Sequence, residues 1–306
     1  MDKADIGWEL YRSFLSVIKE GSLSGAARAL GIAQPTVGRH IAALERSLAL
    51  PLFTRSQTGL RPTEAALALQ PHAQAMHAQA HALLRTAEGH GAGVRGTVRV
   101  SASEVVGVEV LPPIISRLQS AYPELRIELV VTNRIQNLLR READLAVRMA
   151  KPEQGQLIAR RVGQVELGLH ARREYLAQHG TPRSLAALAA HRLIGFDEET
   201  PFLRAAARAW PAWRREAFAF RCDSDVAQLA MIRAGGGIGF CQVALARRDP
   251  RLVRVLQRQV RLPLETWVTM HEDLRGSNRC RVTFDALVQG LAEHVRAGEA
   301  PARASG

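Results

Sequence analysis

Apolar residues recur at helical spacing through the first 88 positions and at strand spacing from about residue 96 onward. Leu10, Phe14, Leu15, Val17 and Ile18 share one face of a helix that Gly21 ends. Ser22 can N-cap the next helix, whose Ala26, Ala27 and Leu30 form a small-residue face suited to close packing. Gly31-Ile32-Ala33 breaks the pattern, and a third helix starts near Gln34 with Pro35 in its first turn. Val37, Ile41, Leu44 and Leu48 keep its apolar spacing, which leaves Gln34, Thr36, Gly38, Arg39 and Ala42 facing outward. Residues 52–55 and Leu60-Arg61 flank a polar tip at 56–59 and read as a hairpin. Pro62-Thr63-Glu64 opens a helix running to about Glu88, with Thr63 as cap and Glu64 complementing the helix dipole. The glycine-rich stretch 89–93 reads as a flexible hinge.

Beyond Gly96 the period changes. Residues 98–101, 127–131 and 144–148 read as strands, with helical segments near 108–121 and 135–142 between them. A second set has strands at 165–171, 192–196 and 237–241 and a helix at 224–234. Strands at 252–256 and 266–271 lead back to a last helix at 282–296. Strand–helix–strand alternation predicts parallel sheets covered by helices, hence an α/β multidomain protein. Residues 297–306 read as a disordered tail.

Composition narrows the class. A chain of 306 residues is long enough for two or three compact units, and 47% hydrophobic residues supply each with a core. No stretch approaches the roughly 20 uninterrupted apolar residues of a membrane helix. The start, Met1-Asp2-Lys3-Ala4-Asp5, is polar and has no apolar signal core behind it, so cytoplasmic residence is expected. Cys222, Cys241 and Cys280 are scattered and odd in number, which predicts buried thiols rather than a disulfide framework or zinc knuckle. The net charge of +12 points to a polyanionic partner, but its distribution does not locate one. Ten Lys/Arg face seven Asp/Glu through residue 95, against 31 and 22 beyond.

The candidate chemistry lies mainly at 22–41. Two short helices meet across Gly31, and the second presents polar positions at its N-terminal end, the mechanics of a helix-turn-helix. A generic helical hairpin shares this periodicity. His72, His77 and His81 stand at spacings that could hold a metal, but no carboxylate or cysteine lies within a turn, so no metal is expected. The Gly-rich run 235–239 follows a helix and precedes a strand, the reverse of a phosphate-binding loop, and reads as a helix stop. No nucleophile elbow or other catalytic constellation is present, so neither enzyme activity nor a cofactor is expected. Trp210 and Trp213 frame Pro211; packing of a helix end is favoured over a place in the roof of a cleft.

At these residues the chain strongly resembles the LysR-type transcriptional regulators. The match runs through Ala43-Leu44-Glu45, Leu52-Phe53-Thr54-Arg55 and Gly59-Leu60-Arg61-Pro62-Thr63-Glu64. It continues through Val100-Ser101-Ala102-Ser103-Glu104, Leu111-Pro112-Pro113, Tyr122-Pro123, Asp144-Leu145-Ala146-Val147-Arg148 and Ala234-Gly235-Gly236-Gly237-Ile238-Gly239, about residues 8–295 in all. Ala33 departs from the capping Ser usual in the family, and Gly38 from a common Ser on the reading face.

The resemblance implies a winged helix-turn-helix (1–62), a linker helix and hinge (63–93) and an effector domain resembling periplasmic binding proteins (94–296). The effector domain would have one lobe at about 94–164 and 267–296 and another at about 165–266. It implies sequence-specific binding of double-stranded promoter DNA under control of a small-molecule effector, with self-association as a dimer or tetramer and no membrane partner. Carried over by position, Gln34, Pro35, Thr36 and Arg39 would face the major groove, chemistry that suits Gln to adenine and Arg to guanine. Arg55 and Arg61 of the wing would meet phosphates or the minor groove; a solvated hairpin charge is the alternative. Ser101 and Ser103 fall at the end of the first strand, just before a helix, and Thr132 and Asn133 follow the second in the equivalent position, where ligands of open α/β sheets gather. By the same analogy they line one half of a cleft, and Phe196, Asp197 and Ser224 the other; any one could instead be a helix cap or turn residue. A solute-binding transport protein on the same sensing fold is the rival reading, opposed by the missing signal core and the attached helix-turn-helix.

Overall fold

The computed structural model describes residues 6–56, 59–88, 93–133, 138, 142–152, 157–199 and 201–299. Predictions for the wing tip (Gln57 and Thr58), most of the hinge, most of the helix at 135–142 and the tail beyond Glu299 lie outside them. The chain divides into two compact units, the break falling between Leu84 and Arg85.

The first unit holds α1 (Trp8–Glu20), α2 (Leu23–Leu30), α3 (Gln34–Leu48), β1 (Phe53–Ser56), β2 (Gly59–Pro62) and most of α4 (Glu64–Glu88). Leu10, Phe14, Val17, Ala26, Val37, Ile41 and Leu44 are buried together, so the helical periodicity of the sequence is the packing code of this core. Gly21 closes α1 at φ 67°, and Ser22 Oγ accepts from Gly25 N at 3.1 Å to start α2. α3 begins at Ala33 with no side-chain cap, although Pro35 fits its first turn.

Three polar contacts set the hairpin beside the helices. Glu45 Oε1 accepts from Leu52 N at 2.7 Å, Leu60 N donates to Gly21 O at 2.8 Å, and Thr63 Oγ1 donates to Pro51 O at 2.8 Å. Gly59 is required here: its φ is 130°, and a Cβ would stand 2.6 Å from Gly21 O.

The second unit carries one seven-stranded sheet in the order β10-β6-β11-β5-β3-β4, with β9 also on β6. β3 (Gly96–Ala102) leads through a π-helical turn at Val106–Val110 into α5 (Leu111–Ala121), then β4 (Leu125–Val131) and β5 (Leu145–Arg148). β6 (Leu157–Arg172) is followed by α6 (Arg173–His179), β7 (Leu193–Gly195), α7 (Pro201–Ala209), β8 (Phe218–Arg221) and α8 (Asp225–Arg233). The chain ends through β9 (Gly239–Gln242), α9 (Val243–Ala246), β10 (Leu252–Val255), β11 (Leu262–His271) and α10 (Asn278–Glu299).

The expectation of parallel sheets holds for β3, which runs parallel to β4 and β5, and for the small β7–β8 pair. It fails at the centre. β6 and β11 pair antiparallel from Leu262 opposite Leu167 to His271 opposite Leu157, so the sheet is mixed. Two apolar clusters flank this pair, one around Val98, Leu145 and Leu287, the other around Leu169, Leu193 and Val255. The disordered tail predicted from 297 is also corrected. Residues 297–299 continue α10, and Arg247 donates to Ala297 O at 2.6 Å.

Candidate functional site

On the first unit, α3 turns Val37, Ile41 and Leu44 inward and leaves Gln34, Pro35 and Arg39 exposed, with Thr36 beside them half-buried. Arg39 donates to Thr36 Oγ1 at 3.2 Å, which lays the guanidinium along the outer face of the first turns. Ser13 Oγ lies 2.8 Å from His40 Nδ1 and helps hold α3 against α1. Arg55 and Arg61 are exposed on the hairpin, in adjacent register positions of opposite strands. The outward positions thus form a polar helix face and a basic hairpin, the groups that can read base edges and neutralise phosphates.

Two of the α4 histidines, His77 and His81, make ring contacts, while His72 is exposed. The rings of His77 and Trp8 stack at 5.8 Å, and His81 meets His77 edge-on at 4.3 Å. Leu67, Met76, Leu83 and Leu84 of α4 are exposed, whereas Ala73 is buried in the helical core.

The second unit contains a cavity of about 380 Å³. Ser103 and Val105 enter from the turn after β3, Asn133 from the end of β4, and Asp225, Gln228 and Leu229 from α8. Phe196, Trp213 and Phe240 supply aromatic walls, and Met149, Leu167 and Leu264 add apolar surface. Trp213 is 2% exposed and packs edge-on to Phe218 at 5.2 Å and Phe240 at 4.7 Å. It is therefore both a packing residue and a cavity wall. Trp210 instead donates from Nε1 to Gln259 O at 3.3 Å.

Three of the seven candidate effector residues, Ser103, Asn133 and Phe196, line this cavity. Four take other places. Ser101 is fully buried and accepts from Arg148 at 2.7 Å. Thr132 N extends the β3–β4 pairing by donating to Ala102 O at 2.9 Å. Asp197 is exposed and pairs with Arg215 at 2.6 Å. Ser224 caps α8 and donates to Glu104 at 2.8 Å. Of the four, Ser224 takes the helix-cap role that Ser equally favours, while the others are held by a strand, a backbone ladder and an ion pair.

Asp225, Gln228, Phe240 and Gln242 were not anticipated. Asp225 adjoins the anticipated Ser224, and Gln228 lies on the same α8 face one turn on. Phe240 and Gln242 sit on β9, which lines the cavity together with Cys241 and whose position depends on its pairing with β6.

The cavity's polar edge is acidic. Asn133 Nδ2 donates to Asp225 Oδ2 at 2.8 Å, and its Oδ1 accepts from Glu104 N at 3.1 Å. Burial raises the Asp225 carboxyl to about 6, Glu104 adds to the rise, and the Asn133 bond opposes it. Gln242 ties the cavity to α10: its Oε1 lies 2.8 Å from His294 Nε2, while His294 Nδ1 accepts from Arg248 at 3.1 Å. Arginine only donates, so His294 carries its proton on Nε2. Burial pushes the Cys241 thiol, also on the lining, up to about 12 and keeps it unionised. Among the described residues no group of three or more His, Cys, Asp or Glu could hold a metal ion, and no helix is long and apolar enough to cross a membrane.

Comparison with known proteins agrees with this division. Residues 8–67 match the family described as bacterial regulatory helix-turn-helix protein, lysR family, and residues 91–292 match the LysR substrate binding domain. The HTH-type transcriptional regulator CrgA of Neisseria meningitidis serogroup C is 31% identical over 189 residues, 60% of this chain. That match spans only 62% of the relative's length. The solved structure of CrgA from Neisseria meningitidis superposes with a TM-score of 0.58 at 26% identity, covering 92% of this chain and 98% of that one. Full-length CbnR complexed with its target DNA gives a TM-score of 0.64 at 19% identity over 95% of this chain and 99% of that one, a likeness of fold.

Proposed function

This chain belongs to the LysR family of bacterial regulatory helix-turn-helix proteins, and from that premise we propose that it is a DNA-binding transcriptional regulator controlled by a small molecule. The observation that carries the reading is the outer face of α3, where Gln34, Pro35 and Arg39 stand exposed with Thr36 beside them, together with the exposed Arg55 and Arg61 on the hairpin of the same unit. Phosphate contacts from the hairpin would set register, and base-edge contacts from α3 would select sequence. The DNA in the CbnR complex supports DNA as the partner, and double-stranded promoter DNA suits a helix presented to a major groove. The effector would bind in the cavity against Ser103, Asn133 and Phe196, extended by Gln228, Trp213 and Phe240. It can shift the DNA-bound arrangement only by binding one conformation of this unit better than another.

The same reading takes 1–62 as the DNA-binding part, 63–93 as linker and 94–296 as the effector domain. Its lobes would be about 94–164 with 267–296, and 165–266. Self-association would use α4, where Leu67, Met76, Leu83 and Leu84 are too large an apolar set to suit lasting exposure. The protein would act in the cytoplasm and carry out no catalysis; a solute-binding transport role is disfavoured by the helix-turn-helix.

A gel shift with the DNA upstream of this protein's own gene tests the reading. Retardation that survives excess scrambled competitor is expected. Equal competition by specific and scrambled DNA would refute it.

A further inference from the structure

We infer that the cavity ligand is an organic cation, an amine on an aromatic or otherwise apolar body, with its charged nitrogen on Asp225. The inference rests on reading this cavity as the effector site, and adds the ligand's chemical class.

The lining decides the sign of the charge. Among the described residues, no Arg, Lys or His lines the cavity, while Asp225 does. Arg148, one residue before the lining Met149, does not itself line the cavity; it donates to Ser101 Oγ at 2.7 Å and Val147 O at 2.8 Å. Glu104, held by Ser224 at 2.8 Å, adds a second carboxylate beside Asp225. A ligand carboxylate would meet this acidic edge with no cation among the described lining residues to offset it, in a partly dehydrated space where repulsion is strong. An ammonium meets the opposite situation. Asp225 accepts from Asn133 through Oδ2, and the side-chain oxygen of Gln228 is a further acceptor on the same helix face.

The walls suit the same ligand. Phe196, Trp213 and Phe240 present three aromatic rings to a space of about 380 Å³, enough for a ligand of one or two rings. Aromatic faces attract a cation as well as apolar groups, and a carboxylate beside them fixes where the charge sits. An uncharged aromatic ligand would use the walls and leave the acidic edge unmatched.

Calorimetric titration of the full-length protein with benzylamine, benzyl alcohol and benzoate near pH 7.5 separates these cases. Benzylamine should bind in the millimolar range or better, benzyl alcohol more weakly, and benzoate not measurably. Asp225→Asn should weaken benzylamine at least about tenfold while leaving benzyl alcohol within about threefold, which also shows that the cavity remains folded. Benzoate binding as tightly as benzylamine, benzylamine unaffected by Asp225→Asn, or no binding of benzylamine at all would overturn the assignment. The gel shift is read in parallel. Benzylamine that binds through Asp225 but leaves DNA binding and its footprint unchanged sinks the effector reading and keeps the ligand class.

Discussion

Asn133 Nδ2 donates to Asp225 Oδ2 at 2.8 Å, joining the end of β4 to the first residue of α8 at the polar edge of the cavity. The same amide accepts from Glu104 N through Oδ1. One short side chain thus spans two acidic positions, and its donor is spent on the one that burial disfavours.

The bond stabilises the ionised form of Asp225 against burial and the charge of Glu104. Asn133→Ala should therefore push the Asp225 carboxyl above its value of about 6. Carboxyl-carbon NMR of the selectively labelled protein checks this; a titration midpoint at or below wild type contradicts it.

Two buried histidines predict acid sensitivity. His170 and His294 are each held down to about 4 by burial, against an ordinary 6.5. Between those values the unfolded chain binds more protons, so stability falls as pH drops from about 6.5 toward 4 and is level above. Asp225, raised from 3.8 to about 6, works in the opposite direction over 3.8–6 and offsets one histidine. His294→Gln keeps an acceptor for Arg248 and a donor for Gln242. It should flatten the urea-midpoint slope in this window by about one proton. An unchanged slope would place the sensitivity elsewhere.

Arg39→Ala should leave a folded protein, because Arg39 is exposed and bonds only to Thr36 among the contacts described for it. One lost bidentate base contact costs about 1–3 kcal/mol of discrimination. Fluorescence anisotropy with specific and scrambled duplexes should show the two affinities converging. Retained discrimination would remove Arg39 from the reading face.

The uncapped start of α3 is the clearest case of local chemistry legible in sequence. Ala33 holds the extended N-cap conformation, φ −71° and ψ 141°, with no side-chain acceptor for the first free N–H groups. Ala33→Ser should stabilise the helix by about 1 kcal/mol. Hydrogen exchange in peptides covering the first turns of α3 should slow by about fivefold; faster exchange would contradict the cap argument.

Local patterns carried most of what the sequence revealed. Gly21, Ser22 and the spacing of Val37, Ile41 and Leu44 act within one or two turns, so the helical unit could be read directly. β6 was legible only from Val165, because exposed Arg160, Arg161 and Gln164 interrupt the apolar pattern of its first half. Its partner β11 lies about a hundred residues away, and only that pairing makes the sheet mixed. The cavity shows the same divide. Ser103 and Asn133 follow from the strand-end rule, but Phe240 and Gln242 depend on β9 docking against β6, which no local spacing records.

Arg85 donates to Asp144 from Nε at 3.1 Å and from its terminal nitrogen at 3.3 Å, and both side chains are under a tenth exposed. Asp144 also accepts from Arg99 N at 2.8 Å, and Arg279 donates to Arg85 O at 2.8 Å. The pair is thus part of a fully bonded polar cluster beneath β3. Breaking such a pair from one side costs more than the pair contributes, because the remaining charge stays buried without its counterion. Asp144→Ala should therefore destabilise the second unit by about 3–5 kcal/mol. The double change Arg85→Met with Asp144→Leu should cost clearly less, since neither member of the pair is left charged without the other. Denaturant unfolding of both variants decides the matter. A double variant as unstable as Asp144→Ala would show that the bond from Arg99 N to the Asp144 carboxylate, rather than the ion pair, holds this end of α4.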